Sequence, residues 1–258
     1  MNVIVTTARK QANALKEKAA LCAAKLGARF VERQDRSLEA LFAVYGEDVC
    51  IVGKERQTLY KYKEAVPFFY HPNASFIRYK QWQKTGTDPF IDAAGLSTGD
   101  EVLDATLGMG ADAVMAAIAV GRTGTVTGLE ASQPIAHIVA TGLKEWQEGD
   151  ETFLQALRRV NVVNTGSAAY FQHMKDKSVD VVYFDPMFET KVASPGLEGL
   201  RHFACSETLT KSVLDDAKRV ARRAVVLKGH WQSEQFARFG FIVNRRQHAT
   251  FQYGVMEV

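Results

Sequence analysis

From Asp88 onward short apolar segments alternate with helical ones, and that alternation restricts the possible folds more than any other feature of the chain. The spacing predicts helices over 89–94, 112–120, 134–146, 151–159 and 207–222. Between them it predicts strands over 101–105, 125–130, 160–163, 179–184 and 224–228. Strands separated by helices need crossovers to lie side by side, so the expected fold class is α/β, a doubly wound and mostly parallel sheet. Two strands, over 241–245 and 250–256, close the chain with no helix between them, and an antiparallel last strand accommodates them.

Residues 1–87 read differently. A strand over 2–6, a helix over 10–26 closed by Gly27, a strand over 29–32, a helix from Ser37 to Tyr45 and a hairpin over 48–62 make a small α/β domain with a connector behind it. The expected division is therefore 1–87 and 88–258. Charge follows it: residues 1–90 hold 15 Lys and Arg against 9 Asp and Glu, the remainder 17 against 20. A basic amino-terminal part suits a polyanionic partner, and an ordinary solvated surface is the alternative. The connector segment 75–84 interleaves Arg78, Lys80 and Lys84 with Phe76, Tyr79 and Trp82. That pattern suits a nucleic-acid surface, and equally an amphipathic connector packed on the second domain.

With 47% hydrophobic residues the chain can bury a full core. Cys22, Cys50 and Cys205 form no C-x-x-C, which argues against a disulfide framework and against structural zinc. His202 and Cys205 lack further ligands, so no metal is expected. The first residues lack a signal-peptide core, and the apolar run over 113–120 is too short to span a bilayer. A cytoplasmic protein with no membrane partner is the expectation.

Two predicted strand ends carry chemistry. The first runs into Asp104-Ala-Thr106-Leu-Gly108-Met-Gly110-Ala111-Asp112. Ligands of doubly wound sheets sit beyond the carboxyl ends of the strands, and glycines there let the backbone approach a ligand. The helix starting at Asp112 brings its partial positive charge to the same place. Glu130 ends the next strand, where a carboxylate can accept both hydroxyls of a ribose. Gly108 to Ala113 also fits G-x-G-x-x-A, which leaves an NAD-binding oxidoreductase as an alternative. Three points favour S-adenosylmethionine (SAM). Asp112 would meet a pyrophosphate with like charge. Asp104 is placed for the amino group of a methionine moiety. An oxidoreductase has no need of the element at the second strand end. Gly166 and Ser167, after the third strand, are placed for the adenine.

That second element is Asp185-Pro186-Met187-Phe188, behind the apolar run 181–184. The carboxylate and the Pro186 carbonyl can accept the two N–H bonds of an exocyclic amine, which localises its lone pair, and Phe188 can stack on the ring that bears it. Alignment against an activated methyl then supplies most of the rate, with about 7–11 kcal/mol available in principle.

The segments Val102 to Ala113, Leu129 to Pro134 and Val181 to Phe188 resemble the RsmJ family, SAM-dependent enzymes that methylate a guanine N2 in small-subunit ribosomal RNA. The resemblance covers about residues 88 to 258. It implies a Rossmann-like methyltransferase fold, SAM as cofactor, and RNA or the ribosomal subunit as partner. It also implies that Ala111, Asp112, Glu130, Ala131, Gly166, Ser167 and Asp185 line the SAM pocket. This chain has Ala111 and Ala131 where that family has basic residues, and fewer charges in the loop after Phe188. Lys191, Arg201, Lys228 and His230 are candidates for phosphate or base contacts. Amino methylation of DNA, protein or a small molecule stays open beside the ribosomal reading.

Overall fold

The computed structural model describes residues 2–64, 66–186, 197–205 and 208–258. These fall into two compact units, one drawn from the ranges 1–71, 132–145 and 191–204, the other from 72–131, 146–190 and 205–258.

The first unit is built on β1 (Val3–Thr7), β2 (Arg29–Phe30), β3 (Asp48–Val52), β4 (Gln57–Tyr60) and β5 (Pro67–Phe68), in the order β2-β1-β3-β4-β5. β1 pairs in parallel with β2 and β3, and β3, β4 and β5 continue antiparallel. Every residue of β1 is buried, as a central strand covered on both faces requires. Helix Ala12–Leu26 turns Leu15, Ala19, Cys22 and Leu26 inward, a helical face at three- and four-residue spacing. It ends at Gly27 (φ 58°), whose N–H reaches back to carbonyls of the last turn. Ser37 Oγ accepts the Ala40 N–H and so starts helix Leu38–Tyr45. Helix Gln133–Glu145 belongs to this unit, and Tyr70 packs so closely on Gly142 that no Cβ fits there.

The second unit holds β6 (Glu101–Asp104), β7 (Thr125–Glu130), β8 (Val160–Asn164), β9 (Val179–Phe184), β10 (Ala221–His230), β11 (Ile242–Val243) and β12 (Phe251–Glu257). Their order is β8-β7-β6-β9-β10-β12-β11. The five from β8 to β10 are parallel, and β12 runs antiparallel to both β10 and β11. This is the Rossmann-like, mostly parallel sheet with an antiparallel last strand that the alternation predicts. Side chains of β9 alternate between faces. Val182 and Phe184 join Leu103, Val225, Leu227 and the helix residues Leu214 and Ala217 in one core. Tyr183 meets the rings of Phe90, at 4.4 Å between centroids, and Tyr253, at 6.5 Å. The strand order reverses between β6 and β9, both of which touch the same switch point.

Several boundaries differ from expectation. The connector is a helix, Asn73–Thr85, within the second unit. The predicted helix over 207–222 is Lys211–Val220 among the described residues, and β10 begins at once with a register shift between Ala221 and Ala224. The strand over 241–245 shrinks to Ile242–Val243. Helices Ser167–Phe171, Leu197–Arg201 and Gln235–Phe239 were not predicted, because five residues are too few to show a period. No helix among the described residues is long and apolar enough to cross a membrane.

Candidate active site

The loop after β6 makes a tight turn through Gly108 (φ 50°) and Gly110 (φ 73°), left-handed conformations that glycine adopts without strain. Leu107 N–H donates to the Leu129 carbonyl, and Gly110 N–H to the Leu107 carbonyl. Helix Ala111–Val120 starts directly behind. Glu130, at the end of β7, accepts the Gly108 N–H at 3.2 Å, so its carboxylate is fixed against the turn. The Ala131 carbonyl accepts from Asn164 Nδ2 at 3.2 Å. Gly166 and Ser167 open the short helix after β8, with Ser167 buried.

Thr106 ties the two strand ends together. Its N–H donates to Asp104 Oδ1 at 3.1 Å, and its Oγ1 accepts the Asp185 N–H. Asp104 is buried, and burial pushes its carboxyl well above the ordinary range against the pull of the Thr106 N–H.

Asp112 is the best-satisfied carboxylate of the group. Arg78 Nη1 donates to it at 2.6 Å, Lys228 Nζ at 3.0 Å, the Tyr183 hydroxyl at 2.8 Å and the Tyr253 hydroxyl at 3.3 Å. Burial alone would raise this carboxyl, but Lys228 and Arg78 outweigh it and hold it below its ordinary value. Arg78 also grips both oxygens of Asp88, at 2.8 and 2.9 Å, in a bidentate fork. Asp88 in turn caps helix Pro89–Ala94 through the N–H groups of Phe90 and Ile91.

Lys228 bridges inward from β10. Its ammonium lies 3.0 Å from Asp112 and 2.7 Å from Asp185 Oδ2. Burial would lower it, yet the two carboxylates keep it above its ordinary value. Burial pushes Asp185 up, Lys228 pulls it down, and Asp112 adds to the rise.

The structure therefore brings Asp104, Thr106, Gly108, Asp112, Glu130, Asp185 and Lys228 to one edge of the sheet. His230 lies two residues beyond Lys228, half-buried. Arg201 closes helix Leu197–Arg201 in the other unit. Phe188 and Lys191 lie outside the described residues. Sequence reading missed Arg78, Asp88, Tyr183 and Tyr253. A signal existed: a charged Asp112 within an apolar helix needs buried partners, and tyrosines in buried strands need acceptors.

A parallel sheet of this order, with a glycine turn and an acid at the ends of two adjacent strands, defines an α/β enzyme that holds a nucleotide-like cofactor beyond the carboxyl ends of its strands. The family model described as "Putative SAM-dependent methyltransferase" matches residues 53–238, and the chain belongs to that family. It is a SAM-dependent methyltransferase. The protein YpiP of Bacillus subtilis is 42% identical over 234 residues, 90% of this chain and 91% of that one. Ribosomal RNA small subunit methyltransferase J of Psychrobacter cryohalolentis is 28% identical over 112 residues, 38% of this chain and 34% of that one. Among solved structures, a SAM-dependent methyltransferase of Neisseria gonorrhoeae shares the fold with a TM-score of 0.63 at 17% identity, over 100% of this chain and 96% of that one.

Proposed function

We propose that the enzyme methylates an exocyclic amine, the N2 of a guanine in small-subunit ribosomal RNA. One observation carries the reading: Asp185 Oδ2 is held by Lys228, while Oδ1 accepts no hydrogen bond among the described residues. Pro186 follows in the chain, and on this reading its carbonyl and the Asp185 carboxylate make an acceptor pair for the two N–H bonds of an amine. The distant likeness to enzymes named ribosomal RNA small subunit methyltransferase J supports ribosomal RNA as the partner.

The residues at the sheet edge fit the cofactor. A Cβ at Gly108 would meet nothing nearer than the Thr106 carbonyl at 4.0 Å, so the turn is open on that side. The Asp104 and Glu130 carboxylates flank it, one suited to an amino group and the other to ribose hydroxyls. On this reading Asp104, Thr106, Gly108, Gly110, Ala111, Glu130, Ala131, Gly166 and Ser167 hold SAM. Bound there, SAM supplies an activated sulfonium methyl. Asp112 contributes the first turn of its helix, and its side chain positions Lys228. Asp185 and Pro186 orient the amine and draw its lone pair out of the ring.

The test uses methyl-labelled SAM and small ribosomal subunits from cells lacking this protein. The expected result is nuclease-sensitive label, reduced on the order of 100-fold or more by Asp185→Ala. SAM binding without label in the subunit would reject the ribosomal substrate.

A further inference from the structure

The carboxyl end of β10 carries a second surface that amine orientation does not use. From Lys228 a row of rings leads away along the sheet edge. The ammonium lies 5.7 Å from the centroid of Phe251, Phe251 lies 6.4 Å from His230, and His230 lies 5.8 Å from Trp231. Trp231 is 52% exposed, an unusual position for an indole that could pack on a core. Next to it opens a recess of about 370 Å³, lined by Trp231, Arg245, Arg246, His248, Thr250 and Gln252 among others.

The lining is cationic and aromatic, with no carboxylate among the described residues. Its two arginines are used differently. Arg246 is turned inward: its guanidinium donates to the Phe251 carbonyl at 2.5 Å and lies 5.4 Å from the centroid of the Tyr253 ring. Its backbone N–H donates to Gln252 Oε1, and Gln252 Nε2 donates to the carbonyls of Arg246 and Ala249. These bonds fix the 244–250 loop in place. Arg245 and His248 are exposed and form no hydrogen bond or ion pair among the described residues. A rigid loop thus holds an open guanidinium beside an open indole.

An exposed indole pairs with a flat π face, and an unpaired guanidinium pairs with a phosphate. One ligand class presents both at short range, a nucleotide of a single strand. We propose that this recess holds an unpaired nucleotide flanking the methylated base, with its base on Trp231 and its phosphate on Arg245. The inference rests on the RNA reading above and extends it: the target is unpaired on at least one side, and the β11–β12 hairpin helps to select it. The row Lys228, Phe251, His230, Trp231 leads from the proposed methyl-transfer site to the recess.

The test compares the full chain with Trp231→Ala, Trp231→Phe and Arg245→Ala. The readouts are fluorescence binding to a short single-stranded RNA of mixed sequence, and methyl transfer to small-subunit RNA. Trp231→Ala should weaken RNA binding by about 5- to 150-fold, the range for one stacked base. Trp231→Phe should keep most of the affinity. Arg245→Ala should flatten the salt dependence by about 0.7 in the log–log slope, the share of one single-strand phosphate. SAM binding by calorimetry and the thermal melt should be unchanged in all three. Wild-type affinity in Trp231→Ala, with the intact enzyme methylating RNA, would overturn the recess and leave the function standing. An intact enzyme that binds SAM but neither binds nor methylates RNA would remove the RNA reading, and the recess with it.

Discussion

Asp104 carries an electrostatic cost that its neighbours relieve only in part. Asp112 has two cations and two phenols around it, whereas for Asp104 burial and the charges of Asp112 and Asp185 outweigh the Thr106 N–H and the charge of Lys228. Its folded carboxyl is raised, so its contribution to stability falls as pH climbs above the ordinary 3.8 and through the folded value. Asp104→Asn keeps an oxygen for the Thr106 N–H and removes the charge. Melting at neutral pH should then be unchanged or higher, while SAM affinity falls by about tenfold, the scale of one charge-assisted hydrogen bond. Melts and calorimetric titration check both, and a lower melting temperature would contradict the burial cost.

In the other unit, Cys22 Sγ lies 3.9 Å from Cys50 Sγ and 3.3 Å from His137 Nε2. The hydrogen bond from Cys50, against burial and with help from His137, brings the Cys22 thiol down to about 6, and the same pairing pushes Cys50 up. A depressed folded value means that stability from Cys22 grows from about pH 6 to its ordinary 9.0, and Cys50 reverses the slope above that. Urea denaturation across this window should show the rise, and Cys22→Ser should lack it. An identical slope in the variant would sink the idea. Asp104, Glu130 and Asp185 could be read from their places at strand ends. The thiol pair and its histidine could not, because 28 and 115 residues separate them from Cys22 and no motif spacing links them.

At the scale of elements, the glycine turn is held from below as well as by its own torsions. Leu107 packs on Gly128 of β7 so tightly that a Cβ there would collide with its side chain. Gly128→Ala should therefore cost about 1–3 kcal/mol and loosen the Leu107 to Leu129 hydrogen bond that seats the turn. Weaker SAM binding beyond the loss of stability is the expected result, measured by calorimetry on the folded variant. Arg78 serves a similar purpose for helices. It joins Asn73–Thr85 to the start of Pro89–Ala94 through Asp88, and to Ala111–Val120 through Asp112. Arg78→Met leaves the buried Asp88 without its cation and Asp112 with Lys228 as its remaining one, and should destabilise by about 3–5 kcal/mol, read from denaturant midpoints. The sequence showed Arg78 only as one cation in a basic and aromatic stretch. Its use in an internal ion pair depends on where helix Asn73–Thr85 comes to lie, which local pattern does not encode. The central strands β6, β9 and β10 were legible because burial on both faces demands apolar runs. The end of helix Lys211–Val220 was not, since amphipathic pattern continues across the seam into Arg222.

For the whole molecule, the order of the chain matters more than any boundary near residue 87. The described residues 132–145 and 197–204 belong to the same compact unit as those of 1–71, so the chain leaves that unit and returns to it twice. Helix Gln133–Glu145 is tied there by His137, 2.8 Å from Gln57 Oε1, by the Lys18–Glu145 ion pair and by Tyr70 against Gly142. Helix Leu197–Arg201 is tied there by Gly199 against the Pro67 backbone. None of this is visible as periodicity, because a helix between two parallel strands looks the same whichever sheet it serves. A chain cut to begin at residue 88 would keep every strand of the seven-stranded sheet among the described residues. It would also leave helix Gln133–Glu145 without Gln57, Lys18 and the Tyr70 ring, and helix Leu197–Arg201 without the Pro67 backbone. Each large apolar side chain that loses its cover costs about 1.5–3 kcal/mol, and the whole protein holds only about 5–15 kcal/mol. The truncated chain should therefore aggregate or melt without a cooperative transition, and should not bind SAM. The intact chain should show one transition that SAM raises, by about 2.7 kcal/mol at a hundred times its dissociation constant. Circular dichroism melts with and without SAM decide it. A soluble truncation that melts cooperatively and responds to SAM would show that the methyltransferase sheet needs nothing from residues 1–87.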